Sequence, residues 1–72
     1  MKYAVVIERG STNYGAYVPD LPGCIAVGKT RAEVERLIAE AISLHIESLR
    51  QHGDPIPESH SEIEYIEASV SE

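Results

Sequence analysis

Residues 19–24 read Pro19-Asp20-Leu21-Pro22-Gly23-Cys24, and this stretch restricts the fold of the chain more than any other. Pro19 and Pro22 each fix the backbone φ and cannot donate a hydrogen bond to a strand ladder. Gly23 can adopt a positive φ without steric cost. A corner of this kind ends one strand and begins the next, so we predict a strand at residues 14–18 that stops at Pro19, and another at 24–27.

An earlier strand is predicted at residues 2–8, which are rich in β-branched and small side chains. Turn-forming residues follow at 9–13 and predict a loop. Apolar residues occupy both faces of this first strand, with Tyr3, Val5 and Ile7 on one face and Ala4 and Val6 on the other. This pattern is typical of a central strand rather than an edge strand.

The clearest helix signal begins at Thr30, with Glu33 three residues later as a capping box. Apolar residues then recur at helical spacing, which predicts an amphipathic helix over residues 31–52. Gly53 occupies the position where glycine commonly ends a helix, and prolines follow at 55 and 57. On the polar face, ion pairs are predicted at i,i+3 spacing, namely Glu33 with Arg36 and Glu47 with Arg50.

A last strand is predicted at residues 63–70, which gives the element order β-β-β-α-β and the α+β class. A right-handed crossover would place the fourth strand parallel to the first, with the helix on one face of a mixed four-stranded sheet. The other face would have no cover from within the chain. Its side chains, Tyr3 or Ala4 and Tyr17 or Ala16, would be exposed or buried against a second subunit, which favours a homo-oligomer, a dimer or a tetramer.

Length and composition narrow the function classes. A chain of 72 residues is expected to form a single domain, here 1–72. The formal net charge of −6 disfavours unaided nucleic-acid binding. The lone Cys24 excludes an internal disulfide, and the apolar run at residues 3–7 is too short for a signal sequence or a membrane span. We therefore expect a cytoplasmic protein with no membrane association.

Three kinds of residue invite a chemical interpretation. Asp20 could be a metal-binding carboxylate, but two-metal catalysis needs several convergent acids, and we favour a role in which Asp20 caps the corner through backbone N–H groups. Cys24 begins an apolar strand and is predicted to be a core residue rather than a nucleophile. His45 is expected to pack along the apolar stripe of the helix, whereas His52 and His60 are expected to be solvated. No catalytic set, metal site or cofactor is predicted.

The corner motif, together with Gly28-Lys29-Thr30 at the helix start and the Gly53-Asp54-Pro55-Ile56-Pro57 exit, resembles the HicB-like antitoxin family over nearly the whole chain. The resemblance implies a small domain with a partly degraded ribonuclease H-like fold. It further implies that this domain neutralises HicA, a small basic RNA-cleaving toxin, by direct binding. Members usually add a C-terminal DNA-binding module. This sequence stops at Glu72, where that module would begin, so we expect no direct DNA binding by this chain alone.

Glutamates at 58, 62, 64 and 67 have two interpretations. They could keep a sheet edge from aggregating, or they could meet a basic toxin. We predict that these four residues and Asp20 contact the partner. The leading hypothesis is a non-enzymatic antitoxin; the alternatives are a self-associating domain without a toxin and a residual metal-dependent ribonuclease.

Overall fold

The computed structural model describes residues 1–70 as an α+β arrangement of three strands followed by one helix. The strands are β1 (Val6–Arg9), β2 (Tyr14–Tyr17) and β3 (Ile25–Gly28), and the helix is α1 (Arg31–Gln51). The predicted helix and the first three predicted strands are confirmed, although β1 is shorter than the expected strand.

The corner between β2 and β3 consists of two successive turns, each with a proline in its second position. Pro19 lies in the turn that the Leu21 N–H closes by donating to the Val18 carbonyl at 3.1 Å. Pro22 and Gly23 lie in the turn that the Cys24 N–H closes by donating to the Leu21 carbonyl at 3.0 Å. Gly23 has a φ of 84°, as a type II turn with proline before glycine requires.

The predicted strand ends beside this corner are each wrong by one residue. β2 ends at Tyr17 rather than 18, so one residue separates it from Pro19, and β3 runs from 25 to 28 rather than from 24 to 27. Val18 and Cys24 are instead joined by a single backbone hydrogen bond of 3.1 Å just outside the strands. Pro19 and Pro22 are both exposed, so they shape the corner by fixing the backbone rather than by packing in the core.

The sheet is fully antiparallel, in the order β1-β2-β3. Ile7, Ala16 and Ala26 lie side by side in one row of the register and pack on the side that the helix covers. The neighbouring row consists of Val6, Tyr17 and Ile25, whose side chains point to the opposite face. β1 is therefore an edge strand, contrary to the central position that its apolar character favours.

The core lies between the sheet and α1, and it includes part of the corner. Its buried members share an apolar character, and Leu21 and Val34 are completely inaccessible to solvent. The remaining buried apolar residues are Ala16, Val18, Cys24 and Ile38. The corner thus belongs to the core, because its leucine packs with the buried residues of the helix.

The helix begins at a cap close to the predicted one. Thr30 Oγ1 accepts a hydrogen bond from the Glu33 backbone N–H at 3.0 Å, and Glu33 Oε1 accepts one from the Lys29 backbone N–H at 2.6 Å. The glutamate thus reaches one residue beyond the cap, whereas a standard capping box would return to Thr30 itself. At the other end, Gly53 has a φ of 71°, a conformation that favours glycine.

The ion pairs on the helix differ from the predicted ones. Arg31 pairs with Glu35 and Arg36 pairs with Glu40, each at 2.9 Å and each at i,i+4 spacing. The predicted i,i+3 pairs, Glu33 with Arg36 and Glu47 with Arg50, are wrong. Arg36 reaches a glutamate one full turn further along, and Glu33 is engaged at the cap. Glu47 instead accepts a hydrogen bond from Gln51 Nε2 at 3.5 Å. Both observed pairs are exposed, so each adds only a few tenths of a kcal/mol.

The predicted fourth strand is absent from the part of the chain that the structure describes. Residues 54–70 contain no strand or helix, and the sheet has three antiparallel strands instead of four mixed ones. The segment predicted as a strand, 63–70, lies beyond the point where the chain is bound to the corner. High β-propensity produces a strand only where the path of the chain brings the segment alongside a free edge, and within residues 1–70 this segment pairs with no strand.

Candidate functional site

The segment that follows the helix, residues 54–70, is called the tail. The body of the protein holds it at two points. Near its start, Tyr3 Oη donates a hydrogen bond to the Pro57 carbonyl oxygen at 2.5 Å. Further along, the backbone at residues 60 and 61 binds Asp20. The tail therefore has a fixed path as far as Ser61, despite its lack of regular secondary structure.

The second attachment is built around the Asp20 carboxylate, which is only 5% exposed. Its Oδ2 accepts hydrogen bonds from the backbone N–H groups of His60 and Ser61, both at 2.9 Å. Its Oδ1 accepts a bond from Ser61 Oγ at 2.7 Å, and His60 Nδ1 lies 3.2 Å from the same oxygen. Both carboxylate oxygens are thus engaged by the tail.

These bonds hold the pKa of Asp20 below its ordinary value. The largest cause is the hydrogen bond from the Ser61 side chain, followed by the bond from the Ser61 backbone. Burial acts in the opposite direction, while the His60 backbone N–H and the nearby imidazole lower the pKa further. Since hydrogen bonds to the charged form outweigh burial, Asp20 is ionised at neutral pH and the attachment is intact there.

The corner leaves the Asp20 side chain free for this task. Its two turns are closed by backbone hydrogen bonds, and Pro19 and Pro22 have no N–H group that would need an acceptor. The prediction that Asp20 caps its own corner is therefore wrong, because its side chain binds residues 40 and 41 positions further along. Sequence reasoning missed His60 and Ser61, and no local periodicity or spacing connects them to the corner.

The segment after the helix carries the net charge of the protein. Residues 1–50 contain six acidic side chains and six Lys or Arg, whereas residues 51–72 contain six acidic side chains and no Lys or Arg. The whole formal charge of −6 therefore belongs to the later segment. Four of these acids are the predicted partner-binding glutamates, and all four are exposed: Glu58, Glu62, Glu64 and Glu67.

The other candidate groups lie apart from this site. Cys24 is buried in the core, and burial raises the pKa of its thiol, which disfavours the nucleophilic thiolate. His45 is half-buried on the helix, and His52 is exposed with Nδ1 2.7 Å from the Ser48 carbonyl oxygen. Within residues 1–70, no three His, Cys, Asp or Glu side chains come together as a metal site would require.

An apolar surface lies on the sheet face opposite α1. Tyr17 is 40% exposed, Ile25 67% and Val27 61%. This surface is called the open face. The sequence left open whether Tyr17 or Ala16 lies on the uncovered side of the sheet; Tyr17 is exposed there, while Ala16 is buried and Tyr3 packs against the core. The single helix of the described chain is not long and apolar enough to cross a membrane.

Comparison with known proteins identifies the family to which this chain is similar. A family model described as the HicB-like antitoxin of bacterial toxin–antitoxin systems matches residues 3–71. A UPF0150 protein of Thermoplasma acidophilum is 44% identical over 63 residues, which cover 86% of this chain and 91% of that protein. An uncharacterised 14.9 kDa protein from the rep-hol intergenic region of Haemophilus phage HP1 is 38% identical over 66 residues, covering 92% of this chain and 50% of that protein.

A solved structure shares the architecture. One chain of the HicA3 and HicB3 toxin–antitoxin complex superimposes with a TM-score of 0.71 at 32% identity. The match covers 83% of the present chain and 70% of that chain.

Proposed function

Because this chain belongs to the HicB-like antitoxin family of bacterial toxin–antitoxin systems, we propose that it neutralises a small basic HicA-like toxin by binding it directly. The observation that carries the proposal is the structural match, at 32% identity, to a chain of a HicA3 and HicB3 complex. Toxins of this kind are expected to cleave RNA, so occlusion of the toxin surface would stop that cleavage without any reaction by the antitoxin. The protein then acts as a non-enzymatic binding module in the cytoplasm and works as a homo-oligomer.

The acidic tail is the contact surface in this proposal. Its exposed glutamates carry most of the net charge of the protein, and they would attract a basic partner and accelerate the encounter. Asp20 does not contact the partner directly in this proposal, because it is buried and both its carboxylate oxygens already accept hydrogen bonds. Its role is to fix where Glu58 and Glu62 lie, so it supports the partner surface from beneath.

Binding to a catalytically disabled HicA-like toxin tests this proposal. Isothermal titration with the full chain should give a saturable complex whose affinity falls as the salt concentration rises. A triple variant, Glu62→Gln, Glu64→Gln and Glu67→Gln, should bind the toxin at least tenfold more weakly. The matched control changes three exposed helix glutamates instead, namely Glu35, Glu40 and Glu47 to Gln, and should bind within about twofold of the unmodified protein.

Two results would contradict the proposal. Failure of the unmodified protein to bind any HicA-like toxin would remove the antitoxin function. Equal weakening by the tail and helix triple variants would keep that function but remove the tail as its contact surface, because only overall charge would then matter.

The residual ribonuclease alternative depends on Asp20 as a metal ligand. Its carboxylate oxygens already accept three hydrogen bonds from the tail, so metal binding would require the tail to detach. Self-association without a toxin is the second candidate function, and the exposed open face favours it. A defined oligomer that binds no toxin would be the result expected for that candidate.

A further inference from the structure

The last described part of the tail, residues 62–70, is called the arm, and it makes no hydrogen bond to any residue within 1–70. Its apolar side chains are exposed: Tyr65 by 93%, Ile66 by 83% and Val70 by 82%. A small protein gains nothing from holding such side chains in water, and contiguous exposed apolar surface usually marks an interaction site. The arm is therefore a segment without a partner in the described single chain.

The overall dimensions show that the arm projects from the body. The radius of gyration is 14.7 Å, whereas a compact chain of this length would have about 11 Å. The longest dimension is 55 Å, which far exceeds the roughly 31 Å length of a 21-residue helix. Since Asp20 holds residues 60 and 61 at the corner, the arm starts from a fixed point, and it pairs with no strand of its own chain within residues 1–70.

β1 has one free edge, to which no strand pairs within residues 1–70. It lies at an edge of the sheet, yet the apolar residues on both faces of the segment that contains it are typical of a strand with neighbours on both sides. Edge strands are commonly protected by shortness, charge, a proline or a bulge; β1 is short and carries Glu8 and Arg9 at its end, but it contains no proline and pairs with β2 in unbroken register. Lys2 and Arg9 flank this edge, with Glu8 beside Arg9.

We propose that the arm of one copy adds as a strand to the open edge of β1 in a second copy of this chain. Strand addition would satisfy the backbone groups of both segments. The glutamates of the arm, Glu62, Glu64 and Glu67, match the positive charges of Lys2 and Arg9. If each copy gives its arm to the other, the two copies form a dimer with two-fold symmetry. Each sheet then receives its fourth strand from the other molecule rather than from its own chain.

The surface available is sufficient for a stable pair. The exposed large apolar side chains of the arm are Ile63, Tyr65, Ile66 and Val70. At about 100 Å² each, the two arms of a reciprocal pair would bury roughly 800 Å², and the β1 edges that receive them would bury a similar area, which brings the total into the range of about 1,200–2,000 Å² that stable interfaces show. Strand exchange rests on the homo-oligomer included in the proposed function and specifies how its copies associate, and this association requires no toxin.

Light scattering after size-exclusion chromatography, on the full chain without toxin, is the first test. The unmodified protein should have at least twice the 7.9 kDa mass of the chain. Ile66→Pro removes a backbone N–H from the arm and should reduce the mass to that of a monomer. The matched control Ile66→Val keeps the N–H and the β-branched side chain and should keep the mass. Circular dichroism should show the same helix content in all three proteins.

A mixed sample locates the contact. A spin label on Ser69→Cys, in a Cys24→Ala background, is combined with an unlabelled ¹⁵N-enriched copy. Amide signals of residues 3–9 in the enriched copy should broaden more than those of β3. A monomeric unmodified protein, an Ile66→Pro variant with unchanged mass, or broadening confined to β3 or α1 would each overturn the proposal.

The two proposals fail separately. If the arm contacts toxin and never a second copy, the protein alone will be monomeric while it still binds toxin; strand exchange and the homo-oligomer are then overturned, and the antitoxin function stands. If the protein exchanges arms but ignores every toxin, strand exchange stands and the antitoxin function fails.

Discussion

Removal of the Leu21 side chain should destabilise the protein far more than removal of a leucine from the helix surface. Leu21 is fully buried within the corner, in one cluster with Val18, Cys24 and the helix residue Val34. Leu→Ala at such a site costs about 2–5 kcal/mol, because both the transfer free energy and the contacts around the new cavity are lost. A 72-residue domain has a free energy of unfolding of only about 4–11 kcal/mol. Leu21→Ala should therefore remove a large part of the total.

Urea unfolding, followed by circular dichroism at one chain concentration, measures this loss. With a slope of about 1 kcal/mol per M for a chain of this size, the midpoint should fall by roughly 2 M or more. Leu44→Ala is the matched control, because Leu44 is 71% exposed and its loss should change the free energy of unfolding by less than about 0.5 kcal/mol. Equal midpoints for the two variants would refute the reasoning that the corner motif holds the core.

Three further predictions concern the tail and the corner. Tyr3→Phe removes one half-buried hydrogen bond, worth about 1 kcal/mol, and should speed hydrogen exchange in the first part of the tail about fivefold; unchanged exchange would show that this bond does not hold it. Because the pKa of Asp20 is lowered on folding, its contribution is complete above the unfolded pKa of about 4 and is lost as the pH falls through the lower folded value. Amide spectra should show the Ser61 signal moving only below about pH 4, and a signal that moves at or above the ordinary aspartate pKa of about 4 would contradict the attachment. Gly23→Ala should cost about 1–2 kcal/mol, since Gly23 has a φ of 84°, whereas Gly15→Ala places its Cβ in open space and serves as the control; equal thermal unfolding midpoints would count against the strain.

The helix and three strands follow from the sequence because their determinants are local. Thr30 with Glu33 sets the helix start, and Gly53 with the following prolines sets its end, all within a few residues of the observed bounds. Pro19 and Pro22 likewise separate β2 from β3, with an error of one residue at each strand end. The family resemblance carried by the corner motif is supported by the family match over residues 3–71.

Long-range partners could not be predicted in the same way. Residues 63–70 have strong strand propensity, but propensity does not say whether the path of the chain brings this segment alongside a free edge of its own sheet. Aspartate is common in turns, and Asp20 lies in one. Its hydrogen-bond donors, however, belong to His60 and Ser61, which only the tertiary fold brings close to it. The candidate site therefore depends on contacts between distant residues that no spacing rule encodes.

Titration of the protein into an RNA-cleavage reaction of an active HicA-like toxin is the decisive experiment for neutralisation by direct binding. Cleavage should fall in proportion to added protein and should be abolished at a defined molar ratio, because the antitoxin acts by direct binding. Inhibition should weaken at raised salt and in the tail variant Glu62→Gln, Glu64→Gln and Glu67→Gln. Undiminished cleavage in the presence of a large excess of folded protein would contradict neutralisation by direct binding.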